Sequence, residues 1–326
     1  MSEYPLVSVI LPVYNGAKYL RESIECILNQ TYKNFEFIII NDGSKDNSEE
    51  IIKSFADSRI KYTSQPNQGL AATLNNAIAL SSGTYIARQD QDDISLPERF
   101  EKQVKFLETN PDTGMVGTWS QIIYENELTE RKHEHPFEDY ELRFNILLDN
   151  PFVHSSVMIR KTVFEEVGVY STDKLRQPPE DYELWSRIYK KFKMANIPQI
   201  LHHYREVAQS MSRAGNNPFL EKVLKINTEN IQYLSLNGCS IENIFDIACL
   251  HHGAYDKIKS RVNFKKIKEY IKEITIKISE QNPEHLDKLQ KKADFILKSM
   301  VYRYFLHKYG KITGKIFYKL YFLFFL

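Results

Sequence analysis

The chain has 326 residues, 42% of them hydrophobic, with 43 Lys+Arg against 42 Asp+Glu, so there is ample material for a full core and no overall charge pointing to a nucleic-acid partner. That balance hides an asymmetry: residues 1–253 carry 26 basic and 35 acidic side chains (net −9), and residues 254–326 carry 17 and 7 (net +10), which marks two differently employed regions. Cys26, Cys239 and Cys249 show no C-x-x-C spacing, and no basic segment precedes an apolar run at the N-terminus. A disulfide framework and a secretory leader are therefore not indicated, and a cytosolic setting is expected.

Two periodicities alternate from the start. "LVSVILP" (6–12) reads as a strand ending at Pro12, and residues 17–32 then place Leu20, Ile24, Ile27 and Leu28 on one helical face. "FEFIII" (35–40) repeats the strand signal, "NDGSKDNS" (41–48) is a turn cluster, and Asn47 or Ser48 is positioned to cap a helix through Phe55. A third strand follows at 59–63, a helix at 69–80, and a fourth strand leads into "YIARQDQDD" (85–93). Strands alternating with helices predict an α/β fold with a mainly parallel sheet flanked by helices. In such a sheet the loops after successive strands gather at the carboxyl edge, where ligands bind, and "PVYNG" (12–16), "NDGS" (41–44) and "RQDQDD" (88–93) all fall there.

Asp90, Asp92 and Asp93 repel one another unless solvent, a cation or an Arg compensates them. Their place at the predicted ligand edge favours a metal or substrate role over a solvated acidic turn. After the first strand the chain reads P-V-Y-N-G, so the glycines of a dinucleotide loop are missing, and a Walker A loop is absent too. A bound diphosphate would need positive charge from elsewhere, and a hard divalent cation, Mn²⁺ or Mg²⁺, held by one or two carboxylates supplies it.

Downstream, residues 150–170 read as a turn, a strand and a short helix, with His154 expected to be a satisfied structural residue. "RQPPEDYELWSRIYKKF" (176–192) puts Glu180 and Asp181 at the start of an amphipathic helix, where capping and the helix dipole ordinarily explain carboxylates. His202 and His203 are neighbours on a predicted strand and face opposite sides, which argues against a shared metal. From about 217 the pattern is helical to the end. In "GKITGKIFYKLYFLFFL" (310–326) Lys311, Lys315 and Lys319 recur every four residues beside an apolar end too short to span a bilayer. The segment reads as an interfacial helix on anionic lipid or as a helix buried against the domain or a partner.

The segments "VSVILPVYNGAKYLRESIECILNQTYKNFEFIIINDGSKDNS" and "NQGLAATLNNAIALSSGTYIARQDQDD" together resemble the nucleotide-sugar-binding half of the family 2 glycosyltransferases of GT-A fold, closely over 6–110 and loosely to about 212. The resemblance implies a GT-A-like domain at 1–215, with a nucleotide-sugar half (1–110) and an acceptor half (111–215). Residues 216–326 form an α-helical C-terminal appendage that it does not explain. It implies that Asp42 contacts a uracil base, that Pro12 and Tyr14 line the nucleoside pocket, and that Asn67 and Asn75 stand near the sugar. The D-x-D element falls on Asp90 and Asp92, with Arg88 just before it and Asp92 as metal ligand. The catalytic base falls on Asp181, with Glu180 orienting the loop or acceptor, and Arg205 with Ser210 and Ser212 would close over the diphosphate. Plainer readings stand beside these, Pro12 as a strand stop and Asp42 as a turn residue. The implied activity is inverting, metal-dependent transfer of one hexose or N-acetylhexosamine from a UDP-sugar to a saccharide acceptor. That acceptor is expected to be lipid-linked, in bacterial surface-polysaccharide (O-antigen or capsule) synthesis at the cytoplasmic face of the membrane, with the tail as peripheral contact. No Q-x-x-R-W follows the E-D pair, which favours single-sugar addition over polymer synthesis. A sugar-nucleotide nucleotidyltransferase and a non-catalytic UDP-binding scaffold remain the alternatives.

Overall fold

Runs of β-branched and aromatic residues build the first strands, β1 (Val7–Val13) and β2 (Phe35–Asn41), each buried at every position. A strand covered on both faces reads as a continuous apolar run, which is what "VSVILPV" and "FEFIIIN" supply. The computed structural model describes residues 5–124, 126–207, 218–258, 261–280 and 282–325. They fall into two units, Met1–Asp139 with Pro151–Pro218, and Tyr140–Asn150 with Phe219–Leu326.

In the first unit β3 (Ile60–Ser64) and β4 (Tyr85–Arg88) extend the sheet in the order β3-β2-β1-β4, all parallel. The connecting helices are α1 (Leu20–Leu28), α2 (Ser48–Lys53) and α3 (Leu70–Leu80). Leu20, Ile24 and Ile27 bury the inner face of α1, a contribution of about 1.5–3 kcal/mol for each side chain. This helix is shorter than the predicted 17–32, because the Thr31 N–H leaves the helical path for the Pro97 carbonyl at 2.9 Å. Pro12 sits inside β1 without penalty. The Ile10 carbonyl accepts from Gln89 N on the β4 side, so position 12 faces the same side, beyond the last paired residue of β4, Arg88, where no donor is needed.

Past β4 the sheet becomes mixed. The remaining elements of this unit are β5 (Ile94–Ser95), α4 (Arg99–Thr109), β6 (Thr113–Tyr124) and β7 (Glu127–His133). After α5 (Asp139–Asn145), which leads into the second unit, come β8 (Met158–Arg160), α6 (Lys161–Val167), α7 (Glu180–Ile188) and β9 (Lys193–Glu206). The order continues β4-β8-β6-β9-β5, with β8 antiparallel to both neighbours, β9 parallel to β6, and β7 a hairpin on β6.

The second unit is helical: α8 (Leu220–Tyr233), α9 (Ile241–His252), α10 (Phe264–Ser279), α11 (Leu286–Tyr309) and α12 (Lys311–Phe325). Ser240 caps α9 by accepting from Asn243 N, and Asn263 caps α10 in the same way through Lys266 N. Residues 140–150 are held among these helices, since Asn227 and Asn230 donate to the carbonyls of Leu147 and Ile146, each at 2.9 Å. Helix α12 lies close on α11 at Gly314, where a Cβ would stand 2.5 Å from the Phe305 carbonyl oxygen. The ring of Phe317 stacks on Tyr309, and Tyr318 meets Tyr302 edge-on.

Candidate active site

The pairing of β4 with β1 stops at Arg88, and the chain turns through Gln89–Asp93 at the carboxyl edge of the sheet. A buried polar layer fixes this tip from beneath. The Gln89 amide donates to Ser23 Oγ (3.1 Å) and the Asp93 carbonyl (2.8 Å) and accepts from Ser95 Oγ (2.6 Å). Arg99, fully buried, donates to the carbonyls of Arg88 (2.9 Å) and Val157 (3.1 Å) and to Ser95 Oγ (2.7 Å). Satisfied networks of this kind rigidify what they hold.

The three carboxylates of the tip have three different surroundings. Asp90 is paired with the buried Arg88 guanidinium at 2.5 Å. Asp93 is buried and accepts from Ser155 Oγ and from Arg205 N at 2.7 Å; burial, then the charges of Asp92 and Asp90, hold its carboxyl well above the usual range. Asp92 is half-buried, and burial followed by the Asp90 charge pushes its carboxyl up to about 6. Asp90 and Asp92 bring two carboxylates to the sheet edge and offer only oxygen donors, a donor set that suits a hard divalent ion.

Arg205 is tied to this tip: its Nε donates to the Asp92 carbonyl at 2.7 Å, its guanidinium pairs with Glu22 at 2.5 Å, and it lies over the Tyr19 ring at 4.2 Å. Ser210 and Ser212, expected beside it over the diphosphate, lie outside the described residues.

The neighbouring loops are tied to this tip and to each other. Gln91 accepts from Tyr14 N (2.9 Å) and donates to the Tyr14 carbonyl (3.1 Å), leaving the Tyr14 ring exposed. Asp42 is buried, its carboxylate accepting from Gln65 Nε2 (2.8 Å), Gln68 N (2.8 Å) and Gly69 N (2.9 Å), so it shapes the loop that starts α3. Asn67 donates to the Asp42 carbonyl at 3.1 Å. The approach is possible because Gly43 has φ +74°, and a Cβ there would sit 2.9 Å from Asn67 N. Both ends of the Asn75 amide are engaged by the backbone of Tyr170, at 2.9 and 3.0 Å, so Asn75 positions that loop.

At the start of α7, Asp181 is half-exposed with Oδ1 accepting from Tyr182 N at 2.7 Å, while Glu180 is buried. Burial, then the charge of Asp181, pushes the Glu180 carboxyl up to about 7; Asp90 adds to the rise and Arg88 opposes it. His154 places Nδ1 3.8 Å from Glu180 Oε1 and Nε2 2.9 Å from the Tyr170 hydroxyl, and burial keeps it well below its ordinary value, hence neutral. Trp185 is core, with His154 and Phe152 edge-on to it at 5.8 and 6.2 Å. His202 is buried on Ser120 and Asp93, and His203 lies half-buried on the other face, as adjacent strand residues must. The Gln89–Arg99 layer, the Gln91 clamp and the His154–Tyr170 pair were not foreseen from the sequence; the sole signal was the run of polar residues after an apolar strand.

Residues 8–168 match the model of Glycosyl transferase family 2. An uncharacterized glycosyltransferase of Haemophilus influenzae is 36% identical over 271 residues, 79% of this chain and 83% of the relative. Another from Methanocaldococcus jannaschii is 38% identical over 209 residues, 62% and 71% of the two chains. Among solved structures, S. aureus TarS 1–349 in complex with UDP-GlcNAc is similar with a TM-score of 0.62 at 15% identity, over 97% of this chain and 91% of that one. The mannosyltransferase PcManGT from Pyrobaculum calidifontis, in complex with GDP-Man and Mn²⁺, gives 0.53 at 14% identity over 95% and 89%. These likenesses concern the fold.

Proposed function

The chain belongs to glycosyl transferase family 2, and from that premise we propose that it moves one hexose or N-acetylhexosamine from a UDP-sugar to a saccharide acceptor, with inversion and with Mn²⁺ or Mg²⁺. Family membership sets aside the nucleotidyltransferase and scaffold alternatives. The observation that carries the proposal is that one short segment borders both acidic groups: Arg88 N donates to the Val157 carbonyl at 3.0 Å, and His154, three residues before it, places Nδ1 3.8 Å from Glu180 Oε1. One end supplies a place for a charged leaving group and the other a base.

Asp90 and Asp92 would hold the metal, which when bound neutralises negative charge developing on a nucleoside diphosphate. Asp181, half-exposed at the rim, takes the proton of the acceptor hydroxyl as it attacks. Single displacement at the anomeric carbon inverts configuration, by the geometric logic of inverting glycosidases. Pro12, Tyr14, Asp42 and Asn67 form the nucleoside side of the pocket, where Asp42 acts by fixing the Gln65–Gly69 loop. Asn75 acts more remotely, through Tyr170. The TarS complex with UDP-GlcNAc supports UDP as the nucleotide, and the PcManGT complex with Mn²⁺ supports metal dependence.

We further propose a lipid-linked acceptor in surface-polysaccharide synthesis, met at the cytoplasmic face of the membrane. Among the described residues no helix is long and apolar enough to cross a bilayer. Helix α12 combines both readings of the tail. Its aromatic residues Phe317 and Tyr318 pack on α11, while Ile312, Ile316 and Leu320, spaced by four, stand 80%, 54% and 47% exposed beside Lys311, Lys315 and Lys319. An aliphatic stripe next to lysines suits the headgroup boundary of an anionic membrane.

The test is incubation of the full chain with radiolabelled UDP-glucose, UDP-galactose, their N-acetylamino forms and GDP-mannose, with Mn²⁺ or with EDTA. Metal-dependent release of UDP from one UDP-sugar is expected. Turnover that EDTA leaves unchanged, or turnover of GDP-mannose alone, overturns the metal or the nucleotide assignment.

A further inference from the structure

We propose a second metal site, within the helical unit, that takes a borderline divalent cation such as Zn²⁺ through Asp149, His251 and His252. His251 and His252 form the last turn of α9, where the helix dipole favours a cation, and Asp149 belongs to the 140–150 segment seated in the same unit. One ligating atom from each of the three lies within 4.8 Å of the other two. Tetrahedral Zn²⁺ ligands at about 2.0–2.2 Å from the metal are roughly 3.4 Å apart, so small side-chain rotations close the set.

The surroundings suit ligation. His252 Nε2 lies 3.0 Å from the Leu148 carbonyl and 2.9 Å from Asn227 Oδ1. Both are acceptors, so Nε2 carries the ring proton and Nδ1 keeps its lone pair. Asn227 is itself fixed, since its Nδ2 donates to the Leu147 carbonyl at 2.9 Å. A carbonyl or amide oxygen holding the far nitrogen is how metal-binding histidines are usually oriented. His251 is 14% exposed, places Nε2 2.6 Å from Asp149 Oδ2, and leaves Nδ1 buried without a hydrogen-bond partner. Asp149, 61% exposed, leaves the site open to entering ions. Two imidazoles and one carboxylate prefer Zn²⁺ or Co²⁺ over Mg²⁺, the reverse of the all-oxygen pair at Asp90 and Asp92. Occupation replaces the His251–Asp149 hydrogen bond by bonds from Nε2 and the carboxylate to the metal, with the His251 ring proton on Nδ1, and pins residues 147–149 to the end of α9.

The experiment uses the full chain carrying Asp92→Asn, which weakens the other site, and titrates it with Co²⁺ while recording visible absorption, followed by competition with Zn²⁺. One equivalent of Co²⁺ with tetrahedral d–d bands, displaced by Zn²⁺, is expected. Asn227→Ala should weaken binding about 10- to 100-fold by releasing His252, and His251→Gln should abolish the bands. Asp149→Asn retains an acceptor for the His251 N–H, so a fold judged intact by circular dichroism separates lost ligation from lost structure. Absence of Co²⁺ uptake at micromolar metal, or uptake that neither His251→Gln nor Asp149→Asn changes, shows the cluster to be a His–Asp tether only. Mn²⁺-dependent UDP binding by His251→Gln alone, with Asp92 present, reports on the donor site separately.

Discussion

Asp181→Asn tests the division of labour between the two acids of α7. The substitution is isosteric, and the amide oxygen can still accept from Tyr182 N, the 2.7 Å contact made by Asp181 Oδ1. Loss of a carboxylate from the first helical turn costs about 0.3–1 kcal/mol, and relief of its repulsion with Glu180 acts in the opposite sense, so the fold should survive. Removing a general base lowers turnover by roughly 10²–10⁴, equivalent to about 2.7–5.4 kcal/mol at 1.36 kcal/mol per tenfold. Donor binding should hold, because Asp181 does not line the nucleoside side. The assay is steady-state release of UDP, with Mn²⁺-dependent UDP binding measured by calorimetry. Glu180→Gln is the control: a buried neutral amide replaces a carboxyl already pushed up to about 7, so its loss of turnover should be the smaller. Folding predicts the sign of its stability change as well. Glu180's folded value lies above its unfolded 4.5, so its contribution is complete below pH 4.5 and falls away as pH rises through about 7. Glu180→Gln should therefore raise Tm at pH 8 and not at pH 4. Parental turnover in Asp181→Asn, with collapse in Glu180→Gln, would assign the base to Glu180 and refute the reasoning.

Asp92→Asn should weaken metal-dependent UDP binding. In metal-free buffer it should also raise Tm at pH 8 and not at pH 4, since a folded value of about 6 against 3.8 means that ionising Asp92 destabilises the native state as pH rises through 6; an unchanged Tm at both pH 8 and pH 4 contradicts the burial argument. Asp42→Ala releases three hydrogen bonds that order the Gln65–Gly69 loop, so KM for the UDP-sugar should rise about tenfold or more with kcat less affected, and an unchanged KM returns Asp42 to an ordinary turn. Deletion of residues 311–326 should release the protein from anionic vesicles and slow transfer to a lipid-linked acceptor while UDP binding persists. Indifference of the full chain to such vesicles at low salt ends the membrane proposal.

Elements whose stability is local were legible in the sequence. β1, β2, α3 and α7 follow from apolar runs and helical spacing: the first three fall within a residue or two of the expected bounds, and α7 starts at the expected Glu180. Positions decided by distant partners were not. The cap of α2 is a case: Asn47 or Ser48 was expected to act, but Asp46 accepts from Ser48 N at 3.1 Å while its other oxygen takes Ala17 N at 2.9 Å, a contact between two loops that no local pattern reports. The hairpin of β6 and β7 carries a long polar strand, Glu127–His133, with little buried surface to mark it. Residues 140–150 are apolar enough to need a core, but nothing in their spacing tells that the core lies in helices about eighty residues further on. At the site, the acids were visible as a cluster, whereas the buried donors beneath them, Arg99 and Gln89, look like ordinary members of a polar loop and helix start.

The three adjacent negative charges of "RQDQDD" make sense once each is given its own partner. Asp90 is neutralised within the fold by Arg88, whose burial makes the pair a fixed part of the tip. Asp93 is sunk beneath it and held by Ser155 and the Arg205 backbone, in surroundings that favour its protonated form. Asp92 is the more accessible of the two acids not paired with a guanidinium, and burial, then the Asp90 charge, pushes it towards neutrality against the opposing pull of Arg205 and Arg88. An isolated folded state would be more stable without that carboxylate, so its presence signals a charge reserved for binding. Burial likewise separates Glu180 from Asp181 on α7: the first is buried, with its carboxyl pushed up to about 7, and the second is half-exposed. On the proposed mechanism, Arg88 fixes Asp90 as one ligand of the metal beside Asp92, and the burial of Glu180 leaves Asp181 as the more accessible acid of α7.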